Sequence, residues 1–343
     1  SAAQLNNTQL PSDHSVLGNE EWCHTSPVLT ACLVVCYCIT MVLGLVGNTG
    51  LICIIARRRE RANVTSIFIC NLSFSDILMC VFCLPFTVIY TVMDHWVFGS
   101  VLCRLVPFIQ CVSVTVSVLS LVFIALERHQ LIINPSGWKP SIPQAYMAVI
   151  LIWTLACFTS LPFLLSSALH QSHPNASLLA YTTWLLLFQY CGPLLLVLLC
   201  YIRVFVRLRH RKDMLDHTRT QDNQRMTHSR RINIMLAALI TAFALCWLPL
   251  TIFNVVSDWN QEALPVCHHN LLFSLCHLLA MSSTCINPVI YGFLNTNFRQ
   301  EVREALLHCC CRPLQEEYDH FPLSTVHMEC NVKFNSVSVN VFH

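Results

Sequence analysis

The sequence predicts an all-α membrane protein: a seven-transmembrane helix bundle followed by a short amphipathic eighth helix. Three observations carry this expectation. The first is composition. Of 343 residues, 55% are hydrophobic and 11% charged, whereas soluble domains carry roughly 25% charged residues. The 20 Lys+Arg and 18 Asp+Glu are too few to coat a soluble fold of this length. The second is the placement of charge. Windows nearly free of it run at about Val28–Ala56, Ser66–Val92, Leu105–Leu126, Ala145–Ser167, Tyr181–Ile202, Ile232–Ser257 and Pro265–Phe293. Each is long enough for the ~20 helical residues that cross a hydrocarbon core of ~30 Å. Helices are required because lipid offers backbone groups no hydrogen-bonding partner. The fourth and fifth windows are separated only at Ser172-His173-Pro174-Asn175, a turn-forming cluster.

The third observation is an asymmetry of basic residues. Inner loops and the tail hold Arg57, Arg58, Arg59, Arg61, Lys139, Arg207, Arg209, Arg211, Lys212 and Arg219. The opposite side holds Arg104 with Asp13, Glu20, Glu21, Asp94, Asp258 and Glu262. Basic loops stay cytoplasmic, so the N-terminus is expected outside and the C-terminus inside. The chain opens at Ser1 and shows no cleavable leader before Val28, so the first span is expected to act as its own membrane address. The expected organisation is an extracellular segment 1–27, a seven-helix domain 28–298, and a cytoplasmic amphipathic helix and tail 299–343. A net charge of +2 argues against nucleic acid as a partner, and lipid is the implied one.

Sequons sort by side. Asn6 and Asn175 lie outside and are candidate glycosylation sites. Asn63-Val64-Thr65 lies inside and Asn71-Leu72-Ser73 within a span, so both read as chance matches.

Polar groups inside the spans carry the functional signal. Asp76 is the only acid deep within a window, where a carboxylate costs at least ~2.5–3.5 kcal/mol unless neutralised or solvated. Either neighbouring helices hold it protonated, or Asp76, Ser117, Ser283 and Asn287 form a small-cation site. We favour the second, with sodium as a modulating ion and no other cofactor. Glu127-Arg128 at the inner end of the third window is an interfacial anchor or a switch, because an arginine held by a neighbouring glutamate exchanges partners when helices move. Pro85, Pro162, Pro193, Pro249 and Pro288 are expected to kink their helices. Trp247 stands beside Pro249, and Asn287 and Tyr291 flank Pro288.

In this order the motifs resemble the rhodopsin-like G-protein-coupled receptors. The resemblance runs through Gly47-Asn48, Leu72-Ser73-Phe74-Ser75-Asp76, Cys103, Glu127-Arg128-His129, Trp153, Pro193, Tyr201, Cys246-Trp247-Leu248-Pro249 and Asn287-Pro288-Val289-Ile290-Tyr291. It covers about Val28 to Cys311. Narrower stretches, such as Ile89 to Gly99, Leu126 to Pro135, Gly137 to Ser141 and Tyr291 to Phe298, are similar to the neuropeptide Y receptor family. The tail Pro322 to His327, with Cys23 and Cys267, looks most like its type 4, pancreatic polypeptide branch.

That resemblance implies a plasma-membrane receptor for C-terminally amidated peptides of the pancreatic polypeptide group, signalling to inhibitory heterotrimeric G proteins. It implies Gln110, Gln189, Asn254, Asp258 and His277 as pocket residues, with Tyr90, Asp94 and Phe253 near the rim. The residue types suit this: a peptide arginine needs a carboxylate, which Asp258 offers about two and a half turns beyond Pro249. A terminal amide needs neutral donors and acceptors, which Gln110 and Gln189 offer. The implied switch comprises Glu127, Arg128, Trp247, Pro249, Asn287, Pro288 and Tyr291. The third window has no acid before Glu127 and the seventh no lysine, which argues against amine and retinal ligands.

No metalloprotease, hydrolase or phosphate-loop motif occurs, so no enzyme is expected. Cys309-Cys310-Cys311 follows an amphipathic run (Phe298, Val302, Leu306) and reads as a lipidation site rather than a metal site. In the family the residue at Cys103 is bridged to a cysteine between spans four and five, but 168–180 contains none and is shorter than usual. Cys23–Cys267 is then the expected bridge, with Cys103 unpaired. A segment lost by splicing or gene-model error, a decaying receptor copy and an alternative Cys103 partner all explain this; the intact flanks favour the first. A non-functional copy therefore stays open as the alternative, with a small-solute transporter as a remote one. No acid lies near Arg230 or Arg231, so Arg128 is expected to be restrained mainly by Glu127.

Overall fold

Seven helices are long and apolar enough to cross a membrane in the computed structural model: Pro27–Arg57, Val64–Met93, Gly99–Ile133, Ile142–Leu164, Thr183–His210, Ser229–Trp259 and His269–Tyr291. They are called the first to seventh spans below. The structure describes residues 26–57, 63–93, 95–169, 180–181, 183–215, 220–259, 266–294, 299–300 and 303. All of these but Arg303 belong to one unit, Ser1–Val302. Cys23, Asn6, Asp94, Asn175, most of the expected eighth helix and Cys309 to Cys311 lie outside the described residues. So does the side chain of Cys267. The Cys103 thiol is exposed and free.

Burial ranks the spans. The apolar window of the third is 72% buried and that of the fourth 17%, so the third is the axis and the fourth a lipid-facing stave. The core runs through Leu72, Met79, Val116, Leu121, Ile124, Leu236, Leu239 and Met281. Leucine, isoleucine and phenylalanine on the outer faces of the fourth and fifth spans are exposed, as lipid contact requires.

Polar side chains bolt the staves together. Asn48 donates from its amide to the carbonyls of Gly44 and Thr284, each at 2.8 Å, joining the first and seventh spans. Asn71 donates to Ser120 Oγ at 2.8 Å and accepts from the Trp153 indole at 2.8 Å, joining the second, third and fourth. At the N-terminal end of the second span the Asn63 side chain caps the helix, accepting from the Ser66 amide at 2.8 Å. The residue that resembles a glycosylation site is a helix cap.

Prolines act in three ways. The second span breaks at Cys83, between helices Val64–Phe82 and Leu84–Met93, because Pro85 has no N–H to continue the ladder. Pro162, Pro249 and Pro288 lie inside continuous helices, as does Pro107. Near Pro249 the Thr251 hydroxyl donates to the Trp247 carbonyl at 2.8 Å. Ahead of Pro193 the helix widens into a π-helical turn, Leu186–Cys191, and the Gly192 amide donates to the Leu187 carbonyl. One extra residue per turn relieves the clash of the proline ring with the preceding turn. A Cβ on Gly192 would lie 2.9 Å from that carbonyl. Gly192→Ala is therefore expected to destabilise the fifth span by ~1–3 kcal/mol, as overpacking does. A lowered melting temperature of the detergent-purified protein checks this.

Candidate functional site

The candidate side chains lie at three levels along the bundle axis, called inner, middle and outer after the orientation expected from the basic loops. At the inner level, helical continuation of the third span through Ile133 carries Glu127 and Arg128 to its end. Their charged groups are 3.8 Å apart. The Thr65 hydroxyl stands between them: it donates to Glu127 Oε2 at 2.5 Å and accepts from Arg128 Nη2. One proton and one lone pair of Thr65 thus hold both charges, and the second span is tied to the third. The Tyr201 and Tyr291 hydroxyls are buried without a hydrogen-bond partner among the described residues.

The middle level centres on Asp76, 6% exposed. Asn287 of the seventh span donates its amide to the carboxylate. Ser117 pairs with Ser75 at 2.8 Å, and Ser75 in turn donates to the Leu72 carbonyl at 2.7 Å. Ser75 carries one proton, so Ser117 is the donor of the pair. Ser283 accepts from the Trp247 indole at 3.1 Å. Trp247 also stacks on Phe243, ring centroids 5.9 Å apart. Asp76 and Asn287 are therefore in direct contact, whereas Ser117 and Ser283 are engaged with Ser75 and Trp247. All four supply oxygen, the donor a small hard cation takes.

At the outer level the third, fifth, sixth and seventh spans bring polar and aromatic groups together. His277, 3% exposed, accepts or donates at Tyr37 Oη over 3.1 Å, and its other nitrogen stands 3.5 Å from the Gln110 side-chain carbonyl oxygen. Phe273 lies against His277 and Phe253, with centroids 5.5 and 5.8 Å apart. Gln189 donates to Thr115 Oγ1 at 2.7 Å and to the Cys111 carbonyl at 3.2 Å. Its N–H groups are spent on the third span, leaving its carbonyl oxygen. Phe253 is buried beneath His269 and Phe273 rather than open at a rim. Tyr90 and Asp258 are half-buried and Asn254 exposed.

Tyr37, Thr65 and Ser75 are hydrogen-bonded to candidate-site residues and are passed over by sequence reasoning. Thr65 reads as the third residue of a chance sequon, and Ser75 as the residue before Asp76. Tyr37 carries one usable signal: it is the only tyrosine in the first window.

A seven-helix bundle with an acid at mid-depth, a glutamate-arginine pair at one end and a tryptophan-proline pair between them defines a class. The 7 transmembrane receptor (rhodopsin family) pattern matches residues 47–291. The chain is 50% identical over 337 residues to neuropeptide Y receptor type 4 of Rattus norvegicus, covering 92% of this chain and 89% of that one. It is 50% identical over 331 residues to neuropeptide Y receptor type 4-2 of Homo sapiens, covering 90% and 88%. To neuropeptide Y receptor type 1 of Xenopus laevis it is 48% identical over 318 residues, covering 87% and 86%. This chain belongs to the neuropeptide Y receptor family of rhodopsin-like, seven-transmembrane receptors.

Proposed function

We propose that the protein is a plasma-membrane receptor for C-terminally amidated peptides of the pancreatic polypeptide and neuropeptide Y group, coupled to inhibitory G proteins. The peptide enters from the side holding Asp258, with the N-terminus outside. The observation that carries this reading is the meeting of Gln110 and His277 across the third and seventh spans, with no charged group between them. Neutral donors and acceptors at the base suit a terminal amide, and Asp258 at the outer end of the sixth span suits a peptide arginine.

Peptide binding shifts Trp247 and the Pro249 segment, swings the inner end of the sixth span and frees Arg128 for the G protein. Ligand and effector favour the same conformation, so each raises affinity for the other. Asp76, with Asn287, Ser117 and Ser283, offers a sodium-sized cation site that modulates the balance. Cys309, Cys310 and Cys311 anchor the tail by acyl chains, and Cys23–Cys267 ties the outer ends.

Binding of a labelled amidated peptide to cells expressing the chain tests the proposal. Asp258→Ala is expected to weaken binding about thirtyfold, the low end for truncating one partner of a charge pair. Peptide-stimulated nucleotide exchange on an inhibitory G protein is the second readout. Absence of specific binding by the unaltered chain overturns the proposal.

A further inference from the structure

The hydrogen-bond chain running inward from the first span has a direction. Tyr37 is fully buried, and its hydroxyl contacts two groups: the Ser274 carbonyl at 2.9 Å and His277 Nδ1 at 3.1 Å. A carbonyl only accepts, so the single hydroxyl proton goes to Ser274. The contact with His277 then needs a proton from the other side: Nδ1–H donates to the Tyr37 oxygen. A neutral imidazole with hydrogen on Nδ1 carries a lone pair on Nε2. Among the described residues the contacts of the ring are Tyr37, Gln110 and Phe273, none of them a carboxylate, and an unpaired buried charge is costly, so the neutral ring is the form considered.

Gln110 stands at that lone pair with its carbonyl oxygen, Oε1, placed 3.5 Å from Nε2. Its carbonyl end and Nε2 are both acceptors and repel; its NH2 end can donate. Amide orientation follows from the hydrogen-bond network, and this network turns the Gln110 NH2 toward His277. The Gln110 carbonyl is then directed away from the ring. Gln110 is only half-buried, which leaves that oxygen accessible.

We propose that Tyr37 is a positioning residue for ligand selectivity: by fixing the Nδ1–H form of His277 it orients Gln110 to present an acceptor, which selects a peptide ending in a carboxamide over one ending in a carboxylate. A carboxamide brings N–H donors to that oxygen; a carboxylate brings only acceptors and a charge. The inference rests on the reading of Gln110 as the partner of the terminal amide.

The test compares amidated and free-acid forms of one pancreatic polypeptide-type C-terminal peptide on cells expressing the full chain. In the unaltered receptor the amide is expected to bind far more tightly. Tyr37→Phe keeps the ring and removes the hydroxyl, so His277 is released to either neutral form. The ratio of the two affinities is expected to narrow about tenfold, the scale of one hydrogen bond. A purely structural role weakens both peptides by the same factor, and that result overturns the proposal.

Imidazole nitrogen shifts of 15N-histidine-labelled purified receptor give a readout independent of peptide and of the variant's folding. The resonances absent from His277→Gln are expected to report a protonated Nδ1 and a bare Nε2. A proton on Nε2, with or without one on Nδ1, overturns the relay. If no amidated peptide binds, the receptor reading falls while the nitrogen spectrum still decides the relay.

Discussion

Replacing Glu127 with alanine is expected to raise peptide-free nucleotide exchange on the G protein about tenfold. Glu127 is 8% exposed and the Arg128 side chain 19%. Removing one partner of such a pair strands the other's charge, at ~3–5 kcal/mol for a fully buried site. Arg128 recovers part of that cost in any arrangement where it reaches water or an effector. A differential of about 1.4 kcal/mol between the two arrangements is a tenfold shift in population. Thr65→Ala removes the hydroxyl that both charges share and is expected to act in the same direction by a smaller factor. Equal basal exchange in all three receptors would contradict the switch as drawn.

Gly47→Val is expected to be the most damaging single change in the first span. A Cβ on Gly47 would lie 2.6 Å from Cγ and 2.9 Å from Cβ of Pro288. The pyrrolidine ring cannot rotate away, so the first and seventh spans must separate and the Asn48 bond to the Thr284 carbonyl is strained with them. Overpacking of this order costs ~1–3 kcal/mol, and the β-branched valine puts the cost at the top of that range. Gly50 is the control: a Cβ there meets nothing within 4 Å, and Gly50→Val is expected to leave stability within ~0.5 kcal/mol. Melting of the purified variants separates the two.

The bundle was legible because lipid forces long uncharged runs, and the second window, Ser66–Val92, differs from the observed span Val64–Met93 by only two residues and one at its ends. The third is different: the window Leu105–Leu126 stops at charge, whereas the helix continues from Gly99 to Ile133. Arg104 and Arg128 tolerate this because long basic side chains reach the interface while their stems stay in apolar surroundings. Pro107, inside that helix, carried no signal of its own.

Within the site, Asp76 and the Glu127-Arg128 pair announced themselves by charge. Tyr37, Thr65 and Ser75 did not, because hydroxyls are common in spans and their importance lies in partners far along the chain. Tyr37 and His277 are 240 positions apart, and Thr65 and Glu127 are 62 apart. Gln189 shows the converse. Its amide suggested a ligand contact, yet its donors close onto Thr115 and Cys111 within the bundle.

Asn71, clasped by Ser120 on one side and Trp153 on the other, divides the machine into a stator and a rotor. Three staves riveted through one amide resist relative sliding. The sixth meets the fifth through the Tyr190 hydroxyl, which donates to the Ala244 carbonyl at 2.8 Å, and is fastened to the seventh by the Trp247 indole on Ser283 at 3.1 Å. In the switching motion proposed above, the sixth and seventh staves travel as one piece, and the riveted half is the anvil against which they work.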